Sequence, residues 1–352
     1  MSGIAEVARR AGVSKSTASR ALGGTGYVSD DTRRRVEVAA AEIGYVPSTN
    51  AVSLATGRTQ NIGVVMPYLN RWFFAEVLEG IQEILLDRGL DLTLYDAKPA
   101  SPGRARIFGD FLARSRFDGL IAVGLEPDND ELGRLVQLGR PVVSVVGSGD
   151  ATSVVEIDDD YAARRATEHL IALGHRRIAF LGGQPERHWA QVDRRRFAGY
   201  ESAMKDAGLT DGIRHIESDV TMPGGYAAAV DALSDTRARC TAVVATCDEV
   251  AIGAIIAARR LGVQVPAQLS VIGIDDHEYA EMFSLTTLQQ SPREQGRVAA
   301  ELLLAQIADP ELPPAAVRMK AKLIVRSSTA ALDPRVSATA VDGGLGIPAS
   351  DA

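Results

Sequence analysis

Several side chains fall where an apolar run ends, the place at which a strand of an α/β sheet hands its chain to a loop. Asp158 follows "SVVEI", Asp248 follows "AVVATC" and Asp275 follows "SVIGI". Arg196 stands in "RRRFAGY", Phe73 and Phe74 follow the loop after "IGVVMP", and Trp189 sits in "ERHWAQ". A carboxylate accepts two hydroxyls, a guanidinium donates as a fork, and an aromatic face covers the apolar side of a ring. Together these groups are what a polyol or sugar ring requires. Each also has a plainer use. Asp158 and Asp248 are equally placed to cap helices, Asp275 to shape a turn, Phe74 to fill a core and Trp189 to cover a loop.

A second set lies near the N-terminus, in "GVSKSTASRAL", residues 12–22. Lys15, Ser16, Ser19 and Arg20 form one polar face of a short helix, and Ala18, Ala21 and Leu22 form the other. Ala8, then Gly12, then Ala18 meet the needs of a helix-turn-helix unit: a small residue where two helices press together, a turn residue tolerant of positive φ, and an apolar anchor. Lys15 and Ser16 occupy the first turn of the second helix, the part that enters a major groove in such units. Arg20 suits guanine O6 and N7. Thr17 and Ser19 are short hydroxyls suited to phosphates.

Net charge argues against a polyanion partner only when taken over the whole chain. The 352 residues carry a formal −7. Residues 1–60 alone hold eight Lys and Arg against five Asp and Glu, so a small basic head precedes an acidic body. Two cysteines, Cys240 and Cys247, exclude a disulfide scaffold and fit a reducing compartment. The N-terminus lacks the apolar core of a signal peptide, and no apolar run of about 18 residues occurs. A cytoplasmic protein with no membrane contact is expected.

The elements that must position these groups follow from periodicity. Residues 1–46 read as an all-α head. Ile4–Ala11 is apolar at helical spacing, Ser14 caps a helix to about Leu22, and Ser29 caps a third with Val36, Ala39, Ala40 and Ile43 inside. Residues 47–60 read as a linker. Pro47 and Ser48 open a helix of about eight residues, too short to be stable alone in water. From Asn61 strands and helices alternate, with strands at 62–67, 91–96, 119–124, 142–147, 178–184, 242–246 and 270–275. Such a pattern implies parallel doubly wound sheets, in more than one lobe, with binding at the C-terminal strand ends. The tail, 331–352, has little to bury and reads as disordered.

At this point the chain resembles the lactose-repressor (LacI/GalR) family of bacterial transcription regulators. "IAEVARRAGVSKSTASRALGG", "VSDDTRRRVEVAAAEIGYVPS" and "SLATGRT" are similar to that family's head and hinge. "NIGVVMP", "LGHRRIAFLGG", "RRRFAGY" and "VIGIDD" are similar to its body. The resemblance implies a homodimer whose heads read a near-palindromic double-stranded operator. It implies that Lys15, Ser16 and Arg20 meet bases and that Leu54 enters the minor groove as a wedge. Paired leucines can unstack a base step and bend the duplex. It also implies a periplasmic-binding-protein-like body with an effector between two lobes. One lobe would comprise about 61–160 and 293–320, the other about 161–292 and 321–330. Phe73, Asp158, Arg196 and Asp275 match effector-contacting positions. Four departures stand out. Val52 replaces a basic hinge residue, Ala55 adds no charge, Cys247 stands where an amide is frequent, and Val220 stands where some members carry an aromatic.

Other classes fit less well. There is no GxxxxGK[ST] and no GxSxG, and "IDDD" (157–160) and "GIDDHEY" (273–279) are explained by caps and hydroxyl binding. Neither an enzyme, nor a metal site, nor any other cofactor is expected. A solute-binding protein would need no head. The effector expected is a sugar, with a purine or nucleoside as the alternative.

Overall fold

The computed structural model describes residues 3–23, 26–45, 57–114, 116–147, 152–186, 189–235 and 239–333. The expected hinge helix with Val52, Leu54 and Ala55, and the tail from 334 onward, lie outside these residues.

The head is three helices, α1 (Ile4–Ala11), α2 (Lys15–Gly23) and α3 (Asp30–Glu42). Their shared core is made of small residues. Val7, Ala8, Ala11, Ala18, Ala21, Val36, Ala39 and Ala40 are all buried, with Ile4, Leu22 and Ile43 packed at its margin. Alanines at these positions let the helix backbones approach closely. Ser29 Oγ accepts from the Thr32 N–H, which sets the start of α3.

The body holds two six-stranded sheets. The first has the order β11-β5-β4-β3-β1-β2 and is parallel throughout. Its strands are β1 (Asn61–Met66), β2 (Asp91–Asp96), β3 (Gly119–Val123), β4 (Val142–Val145), β5 (Ser153–Ile157) and β11 (Ala316–Met319). The second has the order β12-β10-β9-β8-β6-β7. It comprises β6 (Ile178–Leu181), β7 (Arg214–Ile216), β8 (Ala242–Ala245), β9 (Ser270–Asp275), β10 (Thr286–Gln289) and β12 (Lys322–Ile324). The strands β1, β3, β6, β8 and β9 are near-continuous buried runs, as helix-covered parallel strands must be.

One strand breaks the parallel pattern: β12 runs antiparallel to β10. Only Lys320 and Ala321 separate β11 from β12. The chain leaves the first sheet at its C-terminal edge and enters the second from the same crevice, so it must run against its new neighbours. The chain also crosses between the sheets after β5, at Asp158, and after β10, before Pro292. Three crossings at one crevice hold the two lobes as a hinged pair.

In the first lobe, which also holds α5 (Pro102–Arg106) and α6 (Asn129–Gln137), α4 (Trp72–Asp87) and α11 (Pro292–Ala308) cover the same face of the sheet. They pack closely because glycines face backbone. A Cβ on Gly80 would come within 1.9 Å of the Arg293 carbonyl oxygen, and one on Gly296 within 2.1 Å of that of Val77. In the second lobe, α7 (Asp159–Ala172) and α8 (Gln191–Asp206) cover one face, and α9 (Met222–Ser234) and α10 (Asp248–Arg260) the other. No helix of the described residues is long and apolar enough to cross a membrane.

Candidate functional site

The exposed face of α2 is built by its own turn. Gly12 ends α1 with φ +67°, a left-handed conformation that costs a residue with Cβ about 1 kcal/mol. The chain then turns, Ser14 Oγ accepts from the Thr17 N–H at 3.1 Å, and α2 begins at Lys15. Ala18 is fully buried, so Lys15, Ser16, Ser19 and Arg20 are left exposed on the outer face. Arg20 is held before any partner arrives. Its Nε donates to the Ser16 carbonyl at 3.3 Å, and its stem lies over Gly26, where a Cβ would sit 3.2 Å from Cδ. Thr17, expected to meet phosphate, lies less openly than Ser19. It is half-buried, and its hydroxyl is 2.8 Å from Ser14 Oγ, inside the cap. Tyr27, 93 % exposed in the connection to α3, offers a further surface group that helical spacing does not single out.

In the body, a cavity of about 380 Å³ opens at the C-terminal ends of both sheets. It sits where strand order reverses, beside β1 and β3 in one sheet and β6 and β8 in the other, the place at which doubly wound sheets form a crevice. The two walls differ. The first lobe supplies Tyr68, Trp72, Phe73 and Phe74 from the end of β1 and the first turn of α4. Phe74 meets Tyr68 edge-on at 5.6 Å and Phe73 at 5.4 Å. Gly124 lies against it with φ +54°, where a Cβ would be 2.8 Å from Phe74 Cε1. Arg71 stacks its guanidinium 4.6 Å from the Tyr68 ring centre. Trp72 reaches across to His277 of the second lobe, with ring centres 4.8 Å apart.

The second lobe supplies a polar wall of Asp193, Arg196, Ser218, Glu249, Asp275 and Gln290. Arg196 is 5 % exposed. Its Nε donates to Asp159 Oδ1 at 2.8 Å, and its Nη1 donates to the Thr246 carbonyl and lies 3.9 Å from Asp275. Burial alone would lower its pKa, but Asp159 and Asp275 outweigh that and hold the cation. Asp193 accepts from Thr246 Oγ1 at 2.6 Å, and burial raises its carboxyl. Burial also raises Glu249 and Asp275. Asp275 accepts from Gln290 Nε2 at 2.6 Å.

Backbone strain concentrates on the same rim. Asp275 has φ +136°, Asp276 φ +61° and Val146 φ +54°, all sparsely populated for residues with a Cβ. Such conformations persist where neighbours over-determine them, and they cluster at ligand sites. Here Arg326 and Gln289 each hold Asp276 at 2.7 Å. The lobes also touch directly at the rim, where the Glu126 carboxylate accepts from the Gln191 backbone N–H.

Of the seven expected effector residues, Phe73, Phe74, Arg196 and Asp275 line this cavity, and three do not. Asp158 is the N-cap of α7: its Oδ1 accepts from the Tyr161 N–H at 3.0 Å and its Oδ2 from Arg318 at 3.3 Å. Its acceptors are spent on the crossover. Asp248 is fully buried and binds Thr287 Oγ1 at 2.7 Å and the His277 N–H at 2.9 Å. It ties β8 to β10 and the loop after β9. Burial pushes its carboxyl upward, and the Asp275 charge adds to that shift. Trp189 lies off the cavity surface, with its indole stacked on His215 at 5.5 Å. Cys247 and Val220 do line the cavity. Burial raises the Cys247 thiol well above its ordinary value, leaving a neutral, weakly bonding group.

Sequence spacing did not single out Tyr68, Trp72, Asp193, Ser218, Glu249 or Gln290. One signal was available: Asp193 stands three residues before Arg196, on the same helical face. Among the described residues no group of His, Cys, Asp and Glu is placed to hold a metal ion.

Residues 3–48 match the family described as bacterial regulatory proteins, lacI family, and residues 167–329 match a periplasmic binding protein-like domain. The HTH-type transcriptional repressor PurR of Photobacterium profundum is 32 % identical over 340 residues, covering 93 % of this chain and 98 % of that protein. The lac repressor dimer bound to operator and the anti-inducer ONPF superposes with a TM-score of 0.83 at 26 % identity, over 94 % of this chain and 99 % of that one. The CelR–cellobiose complex superposes at 0.68 with 29 % identity, over 93 % of this chain and 100 % of that one. With a helix-turn-helix head, two α/β lobes and near-full-length similarity to PurR, the chain belongs to the lacI family of bacterial regulatory proteins.

Proposed function

We propose that this regulator is a dimeric repressor whose operator affinity is set by a sugar bound between its lobes. One observation carries the ligand choice. The first lobe gives the cavity its aromatic side chains, beside Arg71, Arg104 and Glu126, and the second lobe gives most of its polar and charged ones. A sugar ring has one apolar face and a rim of hydroxyls, and it uses both walls. A flat purine gains most between two aromatic faces, and across the crevice stand Val192 and Val220. The cellobiose found in CelR accords with this choice.

Lys15, Ser16 and Arg20 are the proposed base contacts, and Ser19 is the proposed phosphate contact. Leu54, outside the described residues, is the proposed minor-groove wedge. Effector binding acts through its different affinity for two lobe arrangements, which alters the spacing of the hinges. The three crossovers at the crevice are where such a change would be transmitted.

A thermal-shift screen of ribose, cellobiose, glucose, hypoxanthine and guanine against the full chain tests the ligand choice. Stabilisation by a sugar is expected. Stabilisation by a purine with none by a sugar would overturn it. For the wedge, Leu54→Ala is expected to reduce DNA bending in a circular-permutation gel, and unaltered bending removes that role.

A further inference from the structure

The charges of the cavity wall do not balance. Among the described residues four arginines line the cavity, and three of them are neutralised from behind the wall. Arg104 donates to both carboxylate oxygens of Glu131 at 2.7 Å, Arg195 to Glu156 at 2.9 Å and Arg196 to Asp159 at 2.8 Å. None of those three carboxylates lines the cavity. The fourth arginine, Arg71, lies over the Tyr68 ring.

The carboxylates that do line the cavity lack such partners. Asp193 is 5 % exposed; its Oδ1 accepts from Thr246, and its Oδ2 has no hydrogen-bond partner among the described residues. Asp275 is buried to the same degree. Its Oδ1 accepts from Gln290 and lies 3.9 Å from Arg196, while its Oδ2 has no such partner. Glu249 makes no hydrogen bond among the described residues, and Arg71 is the charge that offsets it. Glu126 and Asp219 line the cavity with the same sign. Buried charges are ordinarily paired, and burial raises the carboxyls of Asp193, Glu249 and Asp275 alike. The opposite wall makes the same demand by other means. The faces of Tyr68, Trp72, Phe73 and Phe74 attract a cation through the ring quadrupole, as Tyr68 already does with Arg71 at 4.6 Å.

We propose that the effector carries a cationic amino group, as an amino sugar does, with Asp193, Glu249 and Asp275 as the specificity-determining residues. An ammonium brings the positive charge that these carboxylates lack, and it only donates hydrogen bonds, where they only accept. A neutral hydroxyl brings one donor and no charge. A sugar acid or sugar phosphate would add charge of the sign already in excess. This inference rests on the reading of the cavity as a sugar site and narrows the class of sugar.

Isothermal titration of the full chain near neutral pH tests it, with glucosamine and galactosamine, with glucose and galactose, and with N-acetylglucosamine, which keeps the nitrogen and loses the charge. The amines are expected to bind about tenfold more tightly than the neutral sugars. Asp193→Asn and Glu249→Gln each keep size and remove one charge, and each is expected to lose most of that preference; a cooperative melt checks that they fold. Equal or weaker binding of the amines, or a preference that both variants retain, overturns the proposal. Phe74→Ala, on the opposite wall, separates the two readings. If neutral sugars bind as tightly as amines and Phe74→Ala abolishes both, the cavity reading stands and the amino group fails. If binding survives all three substitutions, the cavity itself is not the site. If no sugar of either kind binds, both readings fall.

Discussion

Arg196 and Asp159 form a buried ion pair, Nε to Oδ1 at 2.8 Å, that joins α8 to the start of α7 beneath the cavity. Side-chain exposures of 7 % and 1 % place both charges out of water. The arginine on the polar wall of the cavity is therefore also a structural part of the second lobe. The bonds to Asp159 and Thr246 use Nε and Nη1.

Arg196→Ala is accordingly expected to do more than remove a ligand contact. It leaves Asp159, already short of a partner for Oδ2, as an uncompensated buried acid. Breaking one side of such a pair costs about 3–5 kcal/mol. Urea unfolding should show a loss of that size, and Asp159→Asn in the same background should recover part of it. A stability equal to that of the unaltered protein would sink the structural role.

Gly124→Ala is expected to disable the aromatic wall. The new methyl would sit 2.8 Å from Phe74 Cε1, at a backbone φ of +54° that disfavours alanine. The strain costs about 1 kcal/mol, and Phe74 must turn away from the cavity. Effector-induced stabilisation should fall sharply while operator binding without effector persists, as read by thermal shift and gel mobility.

Arg20→Ala should weaken specific sites by about 1–3 kcal/mol and relax preference at one base pair. Lys15 and Arg20 lie on a basic head, so affinity for any duplex should also fall steeply with salt. Binding-site selection with the variant is the check. An unchanged base preference removes Arg20 from the reading face.

Acid should remove the contribution that two histidines make to the second lobe. His175 is 2 % exposed and uses both ring nitrogens, Nδ1 to Thr241 Oγ1 and Nε2 to Ser270 Oγ, each at 3.0 Å. Burial lowers its pKa, and that of His169 beside Thr329. A histidine whose folded pKa lies below its unfolded value is neutral in the fold and protonates on unfolding. Its contribution is present above about pH 6.5 and is lost as pH falls toward the folded pKa. Burial of Asp248 and Asp275, pushed up to about 8 and about 6, works in the opposite sense over this range, so the histidine contribution is read as a difference: from about pH 7 to about pH 5.5 the melting temperature of His175→Asn should lose less, or gain more, than that of the unaltered protein.

The sequence by itself determined the local structure. Gly12 and Ser14 end one helix and begin the next because a left-handed turn and a cap are properties of a few neighbouring residues. The buried runs at β1, β3, β6, β8 and β9 are apolar on both faces, which only a helix-covered parallel sheet satisfies. That polarity pattern made the fold class and the crevice at the strand ends legible. The direction of β12 was not, because it depends on which sheet the chain has just left.

Tertiary structure alone decided which carboxylates reach the cavity. Asp158, Asp248 and Asp275 each follow an apolar run and look alike as text. Asp158 is spent on a helix N-terminus and Arg318. Asp248 turns under the sheet into room left by Gly273, where a Cβ would be 2.0 Å from its Oδ1. Asp275 is carried into the cavity by a backbone at positive φ. The difference lies in space supplied by residues distant in sequence.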